Sequence, residues 1–170
     1  MKSLSRNHLF ALLLFLTVAL VLSSCNRNTV YSHFAHIPVV GWDRGDTLFF
    51  TVSNLREGGV FTEELGLRST NQYPYTSLTM IVKQEVFPSR FLQRDTVTVK
   101  MVDNEGNRLG GGLNLFQYTV PFAQVQLTET DSLVVSVTHY MKRDVLPGIT
   151  EVGLTVTTSN GSAQHQYEGK

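Results

Sequence analysis

The sequence has few of the residues that support covalent or metal chemistry. Its 170 residues include one cysteine, Cys25, so no internal disulfide can form and the fold depends on its apolar core. Lysine plus arginine and aspartate plus glutamate each number 14, so there is no basic excess for nucleic-acid binding. No stretch after Cys25 keeps a helical apolar period for three turns. These absences point away from disulfide-stabilised, nucleic-acid-binding and helical proteins.

The first 25 residues are typical of a bacterial export signal. Lys2 and Arg6 precede an apolar run over residues 9–22 that is interrupted once. This run is shorter than the roughly 20 residues that a membrane-spanning helix needs. The following Leu-Ser-Ser-Cys at residues 22–25 resembles a lipobox, in which cleavage precedes a cysteine that carries diacylglycerol. The alternative is an uncleaved N-terminal helix with an incidental cysteine, but the spacing favours a signal over residues 1–24 and lipidation of Cys25.

A lipidated Cys25 predicts firm attachment to a membrane. One acyl chain binds marginally, and each buried methylene adds about 0.8 kcal/mol, so the two or three chains of a mature lipoprotein give stable attachment. Residues 25–170 carry 12 basic and 14 acidic side chains, because the signal holds two bases and no acid. The formal charge of −2 offers no polybasic patch for anionic lipid. The lipid itself is therefore the predicted membrane contact.

The rest of the chain predicts an all-β fold. Apolar and polar residues alternate with a period of two over residues 48–52, 96–101, 133–138 and 152–157. Less regular strands are expected at residues 60–69, 77–86 and 112–120, with turn-forming residues between them. About seven to eight short strands in one domain, residues 46–158, favour a single antiparallel β-sandwich of jelly-roll type.

Two flanking segments complete the predicted organisation. Residues 25–45 are expected to be a lipidated tether and first segment, because residues 26–35 are polar and lack a strong pattern. Residues 159–170 have almost no apolar content and predict a disordered tail.

No catalytic or metal-binding constellation is evident. His33 and His36 could in principle share a metal, but no third ligand is near in sequence, and a surface loop is the simpler interpretation. Glu63 and Glu64 would face opposite sides of a strand and cannot act as a carboxylate pair. There is no Gly-x-Ser-x-Gly motif, and the glycines at residues 110–112 lack the lysine of a phosphate loop. We therefore predict no enzyme activity, cofactor, metal or small-molecule substrate.

Arg68, Tyr73 and Tyr75 form the candidate interaction surface. Pro74 fixes its own φ and biases Tyr73 toward an extended conformation, which predicts a rigid elbow flanked by two aromatic rings. Tyrosine and arginine are enriched in protein-binding hot spots. Two alternatives remain open: the rings could stack on sugars, or both tyrosines could be half-buried caps over the end of the sandwich.

Several short patterns together resemble the gliding-motility lipoprotein H family of Bacteroidetes. They occur in one order from about Cys25 to Val156, and the main ones are Tyr31-Ser32-His33-Phe34, Trp42, Leu67-Arg68, Tyr73-Pro74-Tyr75, His139-Tyr140-Met141-Lys142-Arg143 and Val152-Gly153-Leu154. The resemblance implies an outer-membrane lipoprotein with a structural or interaction role in gliding or type IX secretion, whose partners are other envelope proteins. It implies no enzymatic activity. A glycan- or peptide-binding envelope lipoprotein is the alternative function.

The resemblance leads to two further expectations. Surface lipoproteins of these bacteria tend to carry acids just after the lipidated cysteine, and here no acid precedes Asp43, so the periplasmic face of the outer membrane is expected. Thr47, Thr96 and Ser132 each follow an aspartate and precede an aliphatic residue, which matches an O-glycosylation site of exported proteins in that phylum. The same tripeptide is also how a strand begins after a turn.

Overall fold

The computed structural model describes residues 28–159, which form ten β-strands. They are β1 (Thr29–His36), β2 (Trp42–Asp43), β3 (Leu48–Val52), β4 (Gly59–Thr70), β5 (Ser77–Phe87), β6 (Phe91–Lys100), β7 (Leu115–Leu127), β8 (Ser132–His139), β9 (Val145–Leu146) and β10 (Ile149–Thr158). Within this part of the chain no helix is long and apolar enough to cross a membrane. The signal, Cys25 and the predicted tail from residue 160 onward lie outside the described residues.

The strands form two four-stranded antiparallel sheets and one short ribbon. Sheet A has the order β1-β10-β4-β7, and sheet C has the order β3-β8-β5-β6. The short ribbon, sheet B, is formed by β2 and β9. If only the eight strands of five or more residues are numbered, these orders become 1-8-3-6 and 2-7-4-5, the arrangement of a jelly roll. The predicted antiparallel sandwich is confirmed.

Alternating side chains explain why these segments pair as strands. In β8, Leu133, Val135 and Val137 are fully buried, whereas Val134 and Ser136 between them are only half-buried. The inward-facing residues of both sheets belong to one apolar cluster. Burial of each such side chain contributes about 1.5–3 kcal/mol, so this cluster is the main source of stability in a chain without an internal disulfide.

The interpretation of residues 26–35 as a patternless tether is wrong from Thr29 onward. These residues form β1, which pairs along its length with β10 and occupies an edge of sheet A. Tyr31 and Ala35 pack partly against the core, while Ser32 and His36 are exposed. Its core-facing row includes the polar His33 and its outer face carries the aromatic Phe34, so apolar and polar residues do not alternate in the sequence.

The strand predicted from residue 112 begins later, at Leu115. Gly112 has a φ of +131°, and a Cβ there would lie 1.9 Å from the carbonyl oxygen of Leu115. The chain therefore turns sharply at Gly112 before it can extend, and only glycine fits this turn.

The register places the loops at two ends of the sandwich. Thr29 pairs with Thr157 and Gly59 with Leu127, so residues 53–58, 88–90 and 128–131 share one end with the start of β1. We call this the proximal end. The loops at residues 37–41, 71–76, 101–114 and 140–144 lie at the other end, which we call the distal end.

Candidate functional site

The structure places Tyr73 in the core, so it is not part of an exposed contact surface. Its side chain is 3% exposed, and its hydroxyl donates a hydrogen bond of 2.8 Å to the carbonyl oxygen of Ser77. Burial raises the pKa of Tyr73, so the phenol remains a donor. The turn at Gly148 lies against the backbone of Tyr73, since a Cβ on Gly148 would lie 2.3 Å from the Tyr73 nitrogen. The interpretation as a cap over the sandwich end is correct for Tyr73.

Tyr75 occupies the surface beside this cap. It is 36% exposed and packs edge-on against Tyr73, with ring centroids 5.6 Å apart. The buried ring thus supports the exposed one, which lowers the entropy that Tyr75 would lose on binding. Tyr75 is the one member of the predicted pair that is available to a partner.

Tyr140 is an exposed aromatic residue of the distal end that the sequence interpretation missed. It is 67% exposed, and its backbone N–H donates to the carbonyl oxygen of Thr79 at 2.8 Å. The alternation in β8 could have predicted this exposure, because Val137 and His139 point inward and residue 140 therefore points outward.

The loop that carries Tyr140 is held in place by buried aromatic rings and one arginine. Trp42 is fully buried and meets the His139 ring edge-on at a centroid distance of 5.3 Å. The Arg44 guanidinium donates to the carbonyl oxygens of Met141 and Lys142. His139 Nε2 donates to the Asp144 carbonyl oxygen at 3.2 Å, and burial lowers the pKa of His139 and favours the neutral ring. Tyr140 is therefore presented from a fixed loop.

Arg68 lies on the outer face of sheet A, and its side chain contacts other residues of that sheet rather than Tyr73 or Tyr75. Its guanidinium stacks over the Phe34 ring at 4.2 Å from the centroid, pairs with Glu151, and donates from Nε to Gln117 at 3.1 Å. Glu151 also faces His36, with 3.0 Å between Oε1 and Nδ1. Arg68, on β4, therefore contacts all three other strands of sheet A rather than extending freely toward solvent.

Two glycines make room for the Phe34 ring. Gly153 is its neighbour across the β1–β10 pair, and Gly66 is the next along the same row. A Cβ on Gly66 would lie 2.6 Å from the ring, and one on Gly153 would lie 2.7 Å from it. The Phe34 ring thus fills the space that Gly66 and Gly153 leave on the outer face of sheet A, and the Arg68 guanidinium stacks on the other side of the ring.

His33 and His36 do not converge. His33 contacts the Phe50 ring at 6.3 Å between centroids, on the core side, whereas His36 is on the outer face with Glu151. Among residues 28–159 no group of three His, Cys, Asp or Glu side chains could hold a metal ion.

The three predicted glycosylation residues differ in accessibility. Thr47 is exposed in the connection before β3. Thr96 is exposed on β6, an edge strand of sheet C, but its preceding Asp95 is half-buried and accepts a hydrogen bond from Gln93 at 2.9 Å. Ser132 is half-buried at the start of β8. Thr47 is the most accessible of the three.

The sandwich interior contains one buried carboxyl group. Glu63 and Glu64 face opposite sides of β4, as predicted, and Glu63 is fully buried with no hydrogen-bond partner on either oxygen among the described residues. Burial, helped by the Asp95 carboxylate on the facing sheet, raises the pKa of Glu63 to about 7. The Gln84 side chain is also buried, and its Nε2 lacks a partner within the described chain.

Glu63 makes stability depend on pH. Its pKa is 4.5 when unfolded and about 7 when folded, so the free energy of unfolding should fall as pH rises from about 4.5 to 7. The loss is on the order of 3 kcal/mol. The Glu63→Gln variant cannot ionise at this position. Its free energy of unfolding should therefore exceed that of the wild type at pH 8 and be similar to it at pH 4.5. His139 lowers the free energy of unfolding as pH falls below 6.5, but it is present in both proteins, so its effect cancels in the difference. Denaturant titrations that give a constant difference across this range would contradict the burial of Glu63.

Comparison with known proteins places this domain in a family. The fold and its two ends define a jelly-roll sandwich that presents fixed loops from a stable core. The family model of the GldH lipoprotein matches residues 29–156, and the chain belongs to that family. This family is linked to gliding motility, it is not a known enzyme family, and its lipoprotein character implies a membrane-anchored place in the cell envelope.

Two curated relatives are similar along most of their length. The gliding motility lipoprotein GldH homolog of Christiangramia forsetii is 26% identical over 160 residues, which cover 89% of this chain and 97% of the relative. The gliding motility lipoprotein GldH of Flavobacterium johnsoniae is 23% identical over 148 residues, which cover 83% and 92%. Among solved structures, a carbohydrate-binding module specific for non-crystalline cellulose matches 80% of this chain and 76% of its own, with 11% identity and a TM-score of 0.37.

Proposed function

We propose that this protein is a lipid-anchored, non-enzymatic interaction component of the outer membrane, serving gliding motility or its coupled type IX secretion machinery. Cys25 carries the lipid, and the sandwich begins only four residues later at Thr29. The proximal end is therefore held against the membrane. The distal end points away from it and is the surface that meets another envelope protein.

The observation that carries this proposal is the set of apolar side chains exposed at the distal end. Exposed apolar groups that lie together mark contact surfaces. Those in the distal loops are Val39, Val40, Tyr75, Leu109, Leu113 and Tyr140. The Tyr75 ring packs against the buried Tyr73, and the backbone of Tyr140 is fixed by its hydrogen bond to Thr79, which lowers the conformational entropy that the two residues lose on binding.

Replacement of both exposed tyrosines should reduce partner binding without unfolding the protein. Tyr75→Ala with Tyr140→Ala should accumulate and melt near the wild type, because both rings are substantially exposed. Co-purification of the envelope partner after cross-linking of intact cells should fall, as should gliding or secretion where the host shows them. The matched control is Phe49→Ala, which removes a ring that is 67% exposed on the outer face of sheet C. Equal loss in the control, or none in the tyrosine variant, would contradict the distal contact.

A glycan- or peptide-binding lipoprotein is the alternative, and one observation favours it. Arg68, Glu151, Gln117 and His36 form a polar row on the outer face of sheet A that could bind hydroxyl or amide groups. However, Phe34 has Gly66 and Gly153 on one side and the guanidinium over its ring, so stacking on a sugar would require Arg68 to move. The distal end is therefore the better supported surface.

Two features of the anchored protein are part of the same proposal. The absence of acids before Asp43 supports the periplasmic face, so protease added to intact cells should spare the protein. The exposure of Thr47 supports O-glycosylation there, with Thr96 and Ser132 as less accessible acceptors. Rapid digestion of intact cells would contradict the first, and an intact mass equal to polypeptide plus lipid would contradict the second.

A further inference from the structure

The hairpin between β5 and β6 exposes a cluster of large apolar side chains. At its tip, residues 87–92, Phe91 is 55% exposed, Leu92 is 65% exposed and Phe87 is also exposed. Arg90 lies between the two phenylalanines and is solvent-exposed. Aromatic and aliphatic residues next to an arginine suit the boundary between lipid acyl chains and headgroups.

The tip is at the proximal end, the end that carries the membrane anchor. The loop at residues 53–58 and the turn at residues 128–131 join the same end of both sheets. In sheet C, Val52 at the end of β3 pairs with Leu133 at the start of β8. Val86 near the end of β5 pairs with both Leu133 and Phe91, so the tip lies beside the loop that follows Val52. The tip therefore projects from the same end as Thr29.

Chain length brings the membrane to this end. Thr29 is four residues after Cys25, and a fully extended chain covers at most about 14 Å over that distance. β1 is an edge of sheet A and the tip lies at the β5–β6 side of sheet C, so the two are displaced sideways by up to three strand spacings, about 14 Å, and by the roughly 10 Å between the sheets. A bilayer that holds the acyl chains of Cys25 is therefore within reach of the tip.

Local hydrogen bonds fix the shape of the tip. The Ser89 hydroxyl donates to the Val86 carbonyl oxygen at 3.3 Å and accepts from the Phe91 N–H at 3.4 Å. Because the turn is already ordered, exposing its apolar residues to lipid costs little further conformational entropy.

We propose that this hairpin tip inserts into the membrane leaflet that holds the lipid of Cys25, with Phe87, Phe91 and Leu92 among the acyl chains and Arg90 at the headgroups. The inference rests on the proposed lipid anchor. In the neighbouring proximal loops Glu57 and Glu129 offset the charges of Arg56 and Arg90, so the contact is apolar and does not require anionic lipid. It orients the sandwich upright and directs the distal end away from the membrane.

Fluorescence quenching by lipid tests this orientation. A lipidated Cys25 has no free thiol, so Leu92→Cys places a single label at the tip, and Leu113→Cys places one at the distal end by the same substitution of an exposed leucine. The mature protein is reconstituted into phosphatidylcholine vesicles whose acyl chains carry nitroxides. The label at residue 92 should lose most of its emission and that at residue 113 should not. Added phosphatidylglycerol should leave both results unchanged.

A second pair of substitutions tests the cause of the quenching. Phe87→Ser with Phe91→Ser, in the Leu92→Cys background, should abolish most quenching while flotation with vesicles and the melting temperature stay unchanged. Floating protein with no quenching at residue 92, or with equal quenching at both positions, would overturn the tip contact but leave the anchor intact. Failure of the protein to float would overturn the anchor, and the tip contact with it.

Discussion

Tyr73→Ala should lower the free energy of unfolding by about 3–5 kcal/mol, the usual cost of truncating a fully buried aromatic side chain. The residue is 3% exposed and its side chain belongs to the apolar core cluster. Its loss leaves a cavity, and it also leaves the Ser77 carbonyl oxygen without the phenol donor. For a domain with a typical stability of 5–15 kcal/mol, this is a large fraction. Chemical denaturation of the purified variant measures the effect.

Two neighbouring variants separate packing from hydrogen bonding. Tyr73→Phe keeps the ring and should cost only about 0.5–1.5 kcal/mol, the net contribution of one hydrogen bond. Tyr75→Ala removes the exposed ring and its edge-on contact, also about 0.5–1.5 kcal/mol. If Tyr73→Ala were no more costly than Tyr75→Ala, the burial of Tyr73 would be refuted and the two tyrosines would again form one exposed surface.

The strands that could be predicted from sequence are those with one buried and one solvent-facing side. The alternation at residues 133–138 marks β8, and that at residues 152–157 marks β10, because inward-facing Val, Leu and Ile differ clearly from outward-facing Ser and Thr. The same rule fails for β1, where only Tyr31 and Ala35 pack partly against the core. The outer face of β1 carries Phe34, which packs against Gly66 and Gly153 of strands distant in sequence, and such a contact is not recorded in a local pattern.

The candidate site could be predicted only in part for a similar reason. Arg68 and Tyr73 are five residues apart, but β4 ends between them, and the chain turns from the outer face of sheet A into the core. The backbone of Tyr73 lies against the turn at Gly148, 75 residues further along the chain, and its side chain joins the core cluster. A contact between such distant segments is set by the closure of the sandwich, which a local Tyr-Pro-Tyr motif does not specify.

Cys25→Ala should abolish stable membrane attachment. The lipid on Cys25 is the proposed anchor, and the hairpin tip offers only a small apolar contact. Without diacylglycerol on Cys25, the product should either remain a precursor that keeps residues 1–24 or, if that segment is removed, leave the detergent-rich phase on phase separation. Ser24→Ala is the matched control, because it alters the same segment but keeps the cysteine and a small residue before it. A Cys25→Ala product that is processed and membrane-bound like the wild type would refute lipidation.

The most direct measurement of the central claim is the intact mass of the native protein extracted from cell envelopes. An anchored lipoprotein of this sequence should begin at Cys25, lack residues 1–24, and carry the mass of a diacylglyceryl group, with or without a further acyl chain, in addition to the mass of the proposed O-glycan. A mass equal to the full 170-residue chain, or to a chain beginning at an unmodified Cys25, would contradict the account.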